Sequence, residues 1–328
     1  MIADWASGRA TLIGAILKDT ATGKIVGHVQ QTNVLQNLIT NAGSSFGDLA
    51  SKGFSPLEII NVVQNEQLKR KLDLIREGMM ILQNLQLGTL AVSGLGLGVS
   101  IVGFAVLAKR LRTIETRLDR ISQQLVSVTS DRREDELRAV LADIGANVSA
   151  VEGLSSWTEP RRVAEQLQSD LNKYAHRLET IFVRETDFSG RKSLPIEHLD
   201  RLWAIASALH LCHEAAIQAL FVANEIPVAR IYALAASKRS LELLQSVSPD
   251  GTSRLISRGA EDWPQQIELR KRAKSLADSL FTGMKGTALS LISQASLSET
   301  LVEQKADGAA LVAAIKDEKN DALLFLPS

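Results

Sequence analysis

The residues best suited to chemistry lie close together in the second half of the chain, within the sequence LHLCHEA. This sequence contains His210, Cys212, His213 and Glu214, residue types that bind metal ions or act in nucleophilic and acid–base catalysis. His210 and His213 are three residues apart and would share one face of a helix. With His198 they could form a metal site, although Cys212 would point away from that face by about 100–200°.

The rest of the sequence lacks the motifs that would make such a centre specific. It contains no HExxH, no CxxC, no paired ExxH and no GxSxG. The glycine run at residues 94–98 follows a helical pattern and not a strand, so it does not predict a phosphate-binding loop. His28 and His176 stand alone. We therefore expect core or surface histidines, with no catalytic, cofactor-binding or metal-binding residue.

Composition excludes two further classes of protein. Cys212 is the only cysteine, so the chain cannot hold an internal disulfide framework. Lys and Arg together number 37, as do Asp and Glu, and acidic residues interleave with the arginines of residues 110–133. We therefore expect no nucleic-acid partner. The low aromatic content of 4% favours helices over sheets.

The elements around this cluster are organised by a long uncharged stretch, residues 78–108, in a chain of which 23% is charged. Its second half, residues 87–108, is long enough to cross a bilayer as a helix, which needs about 20 apolar residues. Gly94 and Gly98 form a small-xxx-small pair that permits close helix contact in lipid. The residues expected to enter the membrane are Leu87, Leu90, Val92, Gly94, Leu95, Leu97, Gly98, Val99, Ile101, Val102, Phe104, Val106 and Leu107. The alternative is a buried core helix of a soluble bundle.

The flanks of this stretch are predicted to be amphipathic helices. Before it, a capping box at Ser55 and Glu58, with Pro56 between them, indicates a helix start. After it, apolar residues alternate at spacings of three and four, as in a coiled coil. This expected oligomer seam consists of Leu111, Ile114, Leu118, Ile121, Leu125 and Val128.

Short β-branched runs at residues 10–17 and 24–29, separated by KDTATG, predict a β-hairpin near the N-terminus. Helical spacing resumes over residues 136–151, and Thr158 could cap a helix running to about residue 182. Further helices are expected over residues 196–223, 228–247 and 263–292. A second capping box, Ser296 with Glu299, predicts a last helix ending near residue 316. We expect the tail from Asp321 to fray.

These patterns predict a mostly α protein: long amphipathic helices or a coiled coil around the central apolar segment, a helical C-terminal bundle and a small N-terminal β-hairpin. We divide it into three regions. Residues 1–54 hold the hairpin and a loop, residues 55–152 hold the long helices with the apolar segment 78–108, and residues 153–328 form the bundle.

Long amphipathic helices around one apolar stretch resemble the α-helical pore-forming toxins of the cytolysin A and haemolysin BL type. The likeness lies in residues 56–128, with residues 87–108 at their centre, and it is architectural, with no shared sequence motif. The resemblance implies a soluble form that shelters the apolar segment, followed by insertion and oligomerisation. The N-terminal hairpin and the absence of a signal-peptide pattern depart from that family.

We therefore predict a non-enzymatic, membrane-active helical protein that inserts its apolar segment and assembles into a homo-oligomer, as a pore-forming or membrane-perturbing effector. Its expected partners are a lipid bilayer and a regulatory protein. We expect it in the cytoplasm while soluble and at a membrane afterwards. The alternative is a soluble helical scaffold or adaptor that self-assembles through its coiled-coil helices, and a third interpretation is a metalloenzyme or hydrolase using His210 and His213.

Overall fold

The architecture was obtained as a computed structural model, which describes residues 9–13, 16–31, 128–154, 157–260, 262–317 and 323–327. Within these ranges the chain is mostly α-helical and carries a small antiparallel sheet near its N-terminus, so the predicted fold class is confirmed. The capping box at residues 55–58, the apolar segment and the oligomer seam up to Leu125 lie outside the described residues.

The sheet begins with strands β1 (Ala10–Ile13), β2 (Ile16–Asp19) and β3 (Ile25–Gln31), paired in that order. The single strand expected over residues 10–17 is therefore two strands, which pair antiparallel with Ile13 opposite Ile16. The predicted turn between β2 and β3 is closed by Asp19, whose Oδ1 accepts hydrogen bonds from the backbone N–H groups of Ala21 and Thr22. Gly23 completes it with a left-handed φ of 67°.

A fourth strand, β4 (Leu323–Pro327), pairs antiparallel with β3. The expectation that the tail from Asp321 would fray was wrong for these residues. The sequence LLFLP is a short apolar run, and the outer edge of β3 offers it backbone hydrogen bonds that a frayed tail would lack. The first and last described stretches of the chain thus lie in one sheet.

The helical body starts with α1 (Val128–Gly153), α2 (Pro160–Thr186) and α3 (Glu197–Val222). Pro160 stands in the first turn of α2, where its missing N–H costs nothing. The predicted Thr158 cap was wrong: the N-cap position is Glu159, and its side chain makes no capping hydrogen bond. The helix is held instead by its apolar row, which includes Leu167, Leu171 and Leu178.

The body continues with α4 (Ile226–Gln245), α5 (Pro249–Ser257), α6 (Trp263–Glu303) and α7 (Gly308–Asp317). The second capping box was wrong, because Ser296 lies inside α6, which runs unbroken for 41 residues. On both sides of Ser296 the helix remains buried, at Leu291, Ala295 and Leu297, so packing holds it continuous. The break comes at Lys305, whose φ is 53°.

One large core joins α1, α2, α3, α4, α6 and α7, and α3 runs through it with nearly every side chain from His198 to Phe221 buried. The apolar face of α1, including Leu141 and Ile144, belongs to this same core. The three regions 1–54, 55–152 and 153–328 stay a prediction.

Candidate functional site

Of the residues predicted to enter the membrane or to form the oligomer seam, the structure describes only the last one, Val128. The membrane-inserting residues, from Leu87 to Leu107, and the seam residues from Leu111 to Leu125 lie outside the described ranges. Val128, the last seam residue, is the first residue of α1. The chemistry that can be built from described atoms is therefore that of α3 and the helices packed around it.

The three histidines of α3 are buried and turn to three different partners. His198 donates from Nε2 to the backbone oxygen of Glu185 at 2.9 Å. His210 Nε2 lies 3.2 Å from Oε1 of Glu214, one turn further along. His213 Nδ1 lies 3.0 Å from the hydroxyl of Tyr232 on α4. The structure does not bring these histidines together as ligands, and within the described ranges no group of three His, Cys, Asp or Glu residues is placed to hold a metal ion.

The contact between His213 and Tyr232 joins α3 to α4. Both side chains are nearly or fully buried, and their rings meet edge to face with centroids 5.8 Å apart. Burial, helped by the positive charge of Arg239, lowers the pKa of His213 to about 3. Burial likewise raises the pKa of Tyr232. Both groups are therefore neutral around neutral pH.

A second cluster surrounds the carboxylate of Glu185, near the end of α2. Glu185 is 2% exposed, and its Oε1 lies 3.6 Å from Nε of Arg201 on α3. Arg133 of α1 and Arg184 approach the same oxygen at 3.8 and 3.9 Å. Arg184 also binds Glu136 of α1 at 3.1 Å. This charged cluster links α1, α2 and α3 at one end of the body.

One face of α3 carries a buried row of polar residues with heptad-like spacing, Ser207, His210, Glu214 and Gln218. Besides the His210–Glu214 contact, Oγ of Ser207 and both amide atoms of Gln218 have no hydrogen-bond partner among the described residues. Buried polar atoms left without partners each cost about 1–3 kcal/mol. Among the described residues, α3 therefore holds this buried polar row at a cost in stability.

Cys212, on the other side of α3, is fully buried. Burial raises the pKa of its thiol far above the ordinary value, which disfavours the thiolate that a nucleophile or metal ligand requires. The arrangement around Cys212 thus provides packing and no reactive group.

The surface of the body has an open groove of about 430 Å³ between α2 and α4. Its charged lining is held by an ion pair, since Arg239 Nε donates to Oε1 of Glu179 at 3.0 Å. Glu179 also contacts the exposed His176, with Nδ1 and Oε2 2.8 Å apart.

The sheet is joined to the body through its only described histidine. His28 of β3 is buried, and its Nε2 lies 3.1 Å from Oγ of Ser296 on α6. Burial lowers the pKa of His28. The serine expected to cap a helix thus contacts the sheet from within α6.

Among the described helices, only α3 is long and apolar enough to cross a membrane by length and composition. Of its most apolar window, 94% is buried inside the body, as in the core helix of a soluble protein. This is the helix that the sequence predicts over residues 196–223.

Sequence reasoning found the histidines of α3 but missed Glu185, Arg201, Tyr232 and Arg239. Each is an ordinary residue in an amphipathic pattern, and only the packing of distant helices brings them together. No protein-family model matches the chain, and no match was found among curated proteins or solved structures.

Proposed function

We propose that this chain is a membrane-active helical protein, without enzymatic activity, that inserts residues 87–108 into a lipid bilayer and assembles into a homo-oligomer through the seam from Leu111 to Val128. In this proposal the protein is soluble and cytoplasmic first and binds a membrane after a trigger, which a regulatory protein could supply. No cofactor enters the mechanism.

The observation that carries the proposal is the uncharged segment 78–108 between two helical patterns. A 20-residue apolar helix gains tens of kcal/mol on leaving water, at about 25 cal/mol per Å² of apolar surface. This gross gain exceeds the 5–15 kcal/mol by which a typical domain is stable. Lipid is therefore able to compete with the folded body for such a segment.

Two features of the described body support the proposal. Val128 ends the seam and begins α1, whose apolar face packs in the core, so a change in the seam would reach the body directly. In addition, α3 holds a row of buried polar groups, of which Ser207 and Gln218 have no hydrogen-bond partner among the described residues, and such groups lower the cost of opening the body.

A second candidate function, a soluble scaffold that self-assembles through coiled-coil helices, is favoured by one observation. The body already encloses a helix of membrane-spanning length, α3, within its own core. By the same packing, residues 87–108 would serve as a core helix or as an oligomer interface.

Flotation with vesicles and release of a trapped dye separate the two candidates. We expect the full chain to co-float and to release dye, and Val99→Arg to lower release on the order of 100-fold, since an arginine at the centre of a membrane helix costs about 3 kcal/mol. Ile267→Arg is the matched control, because Ile267 is 40% exposed on α6 and should tolerate the charge. Failure of the unaltered chain to co-float in any oligomeric state would favour the scaffold.

A further inference from the structure

Buried histidines are unusually prominent in this body. Of the five histidines in the chain, only His176 is exposed, while His28, His198, His210 and His213 are 7% exposed or less. Three of these four lie on α3. Histidine is the side chain whose ordinary pKa falls between pH 5 and 8, and burial lowers the pKa of His198 and of His213, so a helix that buries these two imidazoles is sensitive to acid in that range.

His213 is the most completely enclosed of the four, at 0% exposure. Its Nδ1 contacts the hydroxyl of Tyr232, and its Nε2 has no hydrogen-bond partner among the described residues. A protonated imidazole carries a hydrogen on both nitrogens, so in the protonated ring the Nε2–H would have no acceptor among the described residues, and a positive charge would be enclosed with it.

The charges that face His213 make protonation still less favourable. Arg239 comes from α4, His210 from α3 itself and His176 from α2, and each opposes a positive charge on His213. The two nearby carboxylates are already engaged, Glu179 with Arg239 and Glu214 with His210. The other helices packed on α3, which are α1, α6 and α7, contribute no charge that acts on His213 within their described residues.

From this geometry we propose that acidification opens the contact between α3 and α4 at His213, and that this opening is the trigger of the membrane-active state. The first half of the proposal stands on the body alone, and the second half rests on the function proposed above. Opening would expose the apolar surface of α3, most of which the body now encloses.

The direction of the pH effect follows from the lowered pKa of His213. Once the contact opens, the imidazole regains its ordinary pKa of about 6.5, so opening takes up a proton. The contact is at full strength above about pH 6.5 and weakens as the pH falls from there toward 3. Between about pH 7.5 and 5 the opening constant should rise about 30-fold from His213 alone. Burial lowers the pKa of His28 and of His198 as well, so loosening of the contacts around either of them would also take up a proton.

The test compares the unaltered chain with His213→Asn, whose amide can replace Nδ1 toward Tyr232 but does not titrate. His176→Asn is the matched control, because His176 is 53% exposed and its charge acts on His213 more weakly than those of Arg239 and His210. Opening is followed without lipid, by the binding of an environment-sensitive dye from about pH 7.5 to 5. Membrane activity is followed by dye release from vesicles of phosphatidylcholine and phosphatidylglycerol over the same range.

We expect dye binding and dye release to rise together on acidification in the unaltered chain and in His176→Asn. In His213→Asn the rise in opening should be about 30-fold smaller. Equal pH profiles for all three proteins would overturn the proposal, as would release that is already complete at neutral pH. Opening that follows His213 while vesicles stay sealed would contradict the proposed membrane function and leave the acid-sensitive contact standing.

A second variant keeps the test decisive if His213→Asn does not fold. Arg239→Gln removes the charge that opposes protonation of His213 most strongly. The closed contact then tolerates a protonated imidazole better, so opening should shift to lower pH. An unchanged pH profile in this variant would also overturn the proposal.

Discussion

Replacing Glu185 with Gln should destabilise the body strongly, because the change removes the one carboxylate at the centre of the charged cluster. Glu185 is 2% exposed, and Arg201, whose Nε lies 3.6 Å away, has a side chain only 7% exposed. At an effective dielectric of about 20, two unit charges at this distance attract by roughly 4–5 kcal/mol. Removing one partner of a buried pair costs about 3–5 kcal/mol. We therefore expect the free energy of unfolding to fall by about 3–5 kcal/mol.

The matched control is Glu136→Gln, which makes the same chemical change on the opposite side of Arg184. Glu136 is 31% exposed and its partners Arg177 and Arg184 are 48% and 41% exposed, so water screens these pairs. We expect a loss below about 1 kcal/mol there. Urea unfolding followed by far-UV circular dichroism measures both variants, with equal m-values required for the comparison. If the two losses agreed within about 1 kcal/mol, burial would not govern the strength of this cluster, and the reasoning would be refuted.

Two further changes test the packing of the body. Gly308→Ala should lower the free energy of unfolding by about 1–3 kcal/mol, because a Cβ there would lie 2.7 Å from the backbone oxygen of Phe221. The control Gly153→Ala should be nearly neutral, since its Cβ would meet only Trp157 Nε1, at 3.6 Å. Thermal unfolding measures both variants, and equal midpoints would contradict the close approach at Gly308. Truncation after Asn320 should remove β4 and speed hydrogen exchange at those amides of Gly27–Gln31 that donate to β4, about every second one, while amides within α3 keep their protection. Unchanged exchange throughout β3 would show that its pairing with β4 is not formed in solution.

Local patterns predicted the helices of the body well. The expected helix at residues 196–223 is α3 (Glu197–Val222), and that at 228–247 is α4 (Ile226–Gln245). Both could be predicted because the apolar spacing of each helix and the turn between them are local features of the sequence. The predictions that were wrong concern segments whose structure is set by contacts with residues distant in sequence. Ser296 and Glu299 fit a capping box, but packing on both sides keeps α6 continuous through them.

The candidate site was predictable only in part, for the same reason. His210 and His213 stood out by residue type, and both are buried in α3. Tyr232 and Glu185 carry no local signal, because their roles arise from contacts between helices far apart in sequence. The apolar run LLFLP gave no local indication of a strand, because its partner β3 lies at the other end of the chain.

The pairing of β3 with β4 has a consequence for the order in which the molecule is assembled. These two strands enclose every described helix between them in the chain, so bringing them together closes a very large loop. Pairings between strands so far apart in sequence form slowly. Until β4 pairs with it, β3 has an exposed edge with free backbone hydrogen-bonding groups, which can pair with a strand of another molecule. We expect newly synthesised chains to aggregate most readily before β3 and β4 pair. Once the two strands are paired, we expect the helices between them to be folded already.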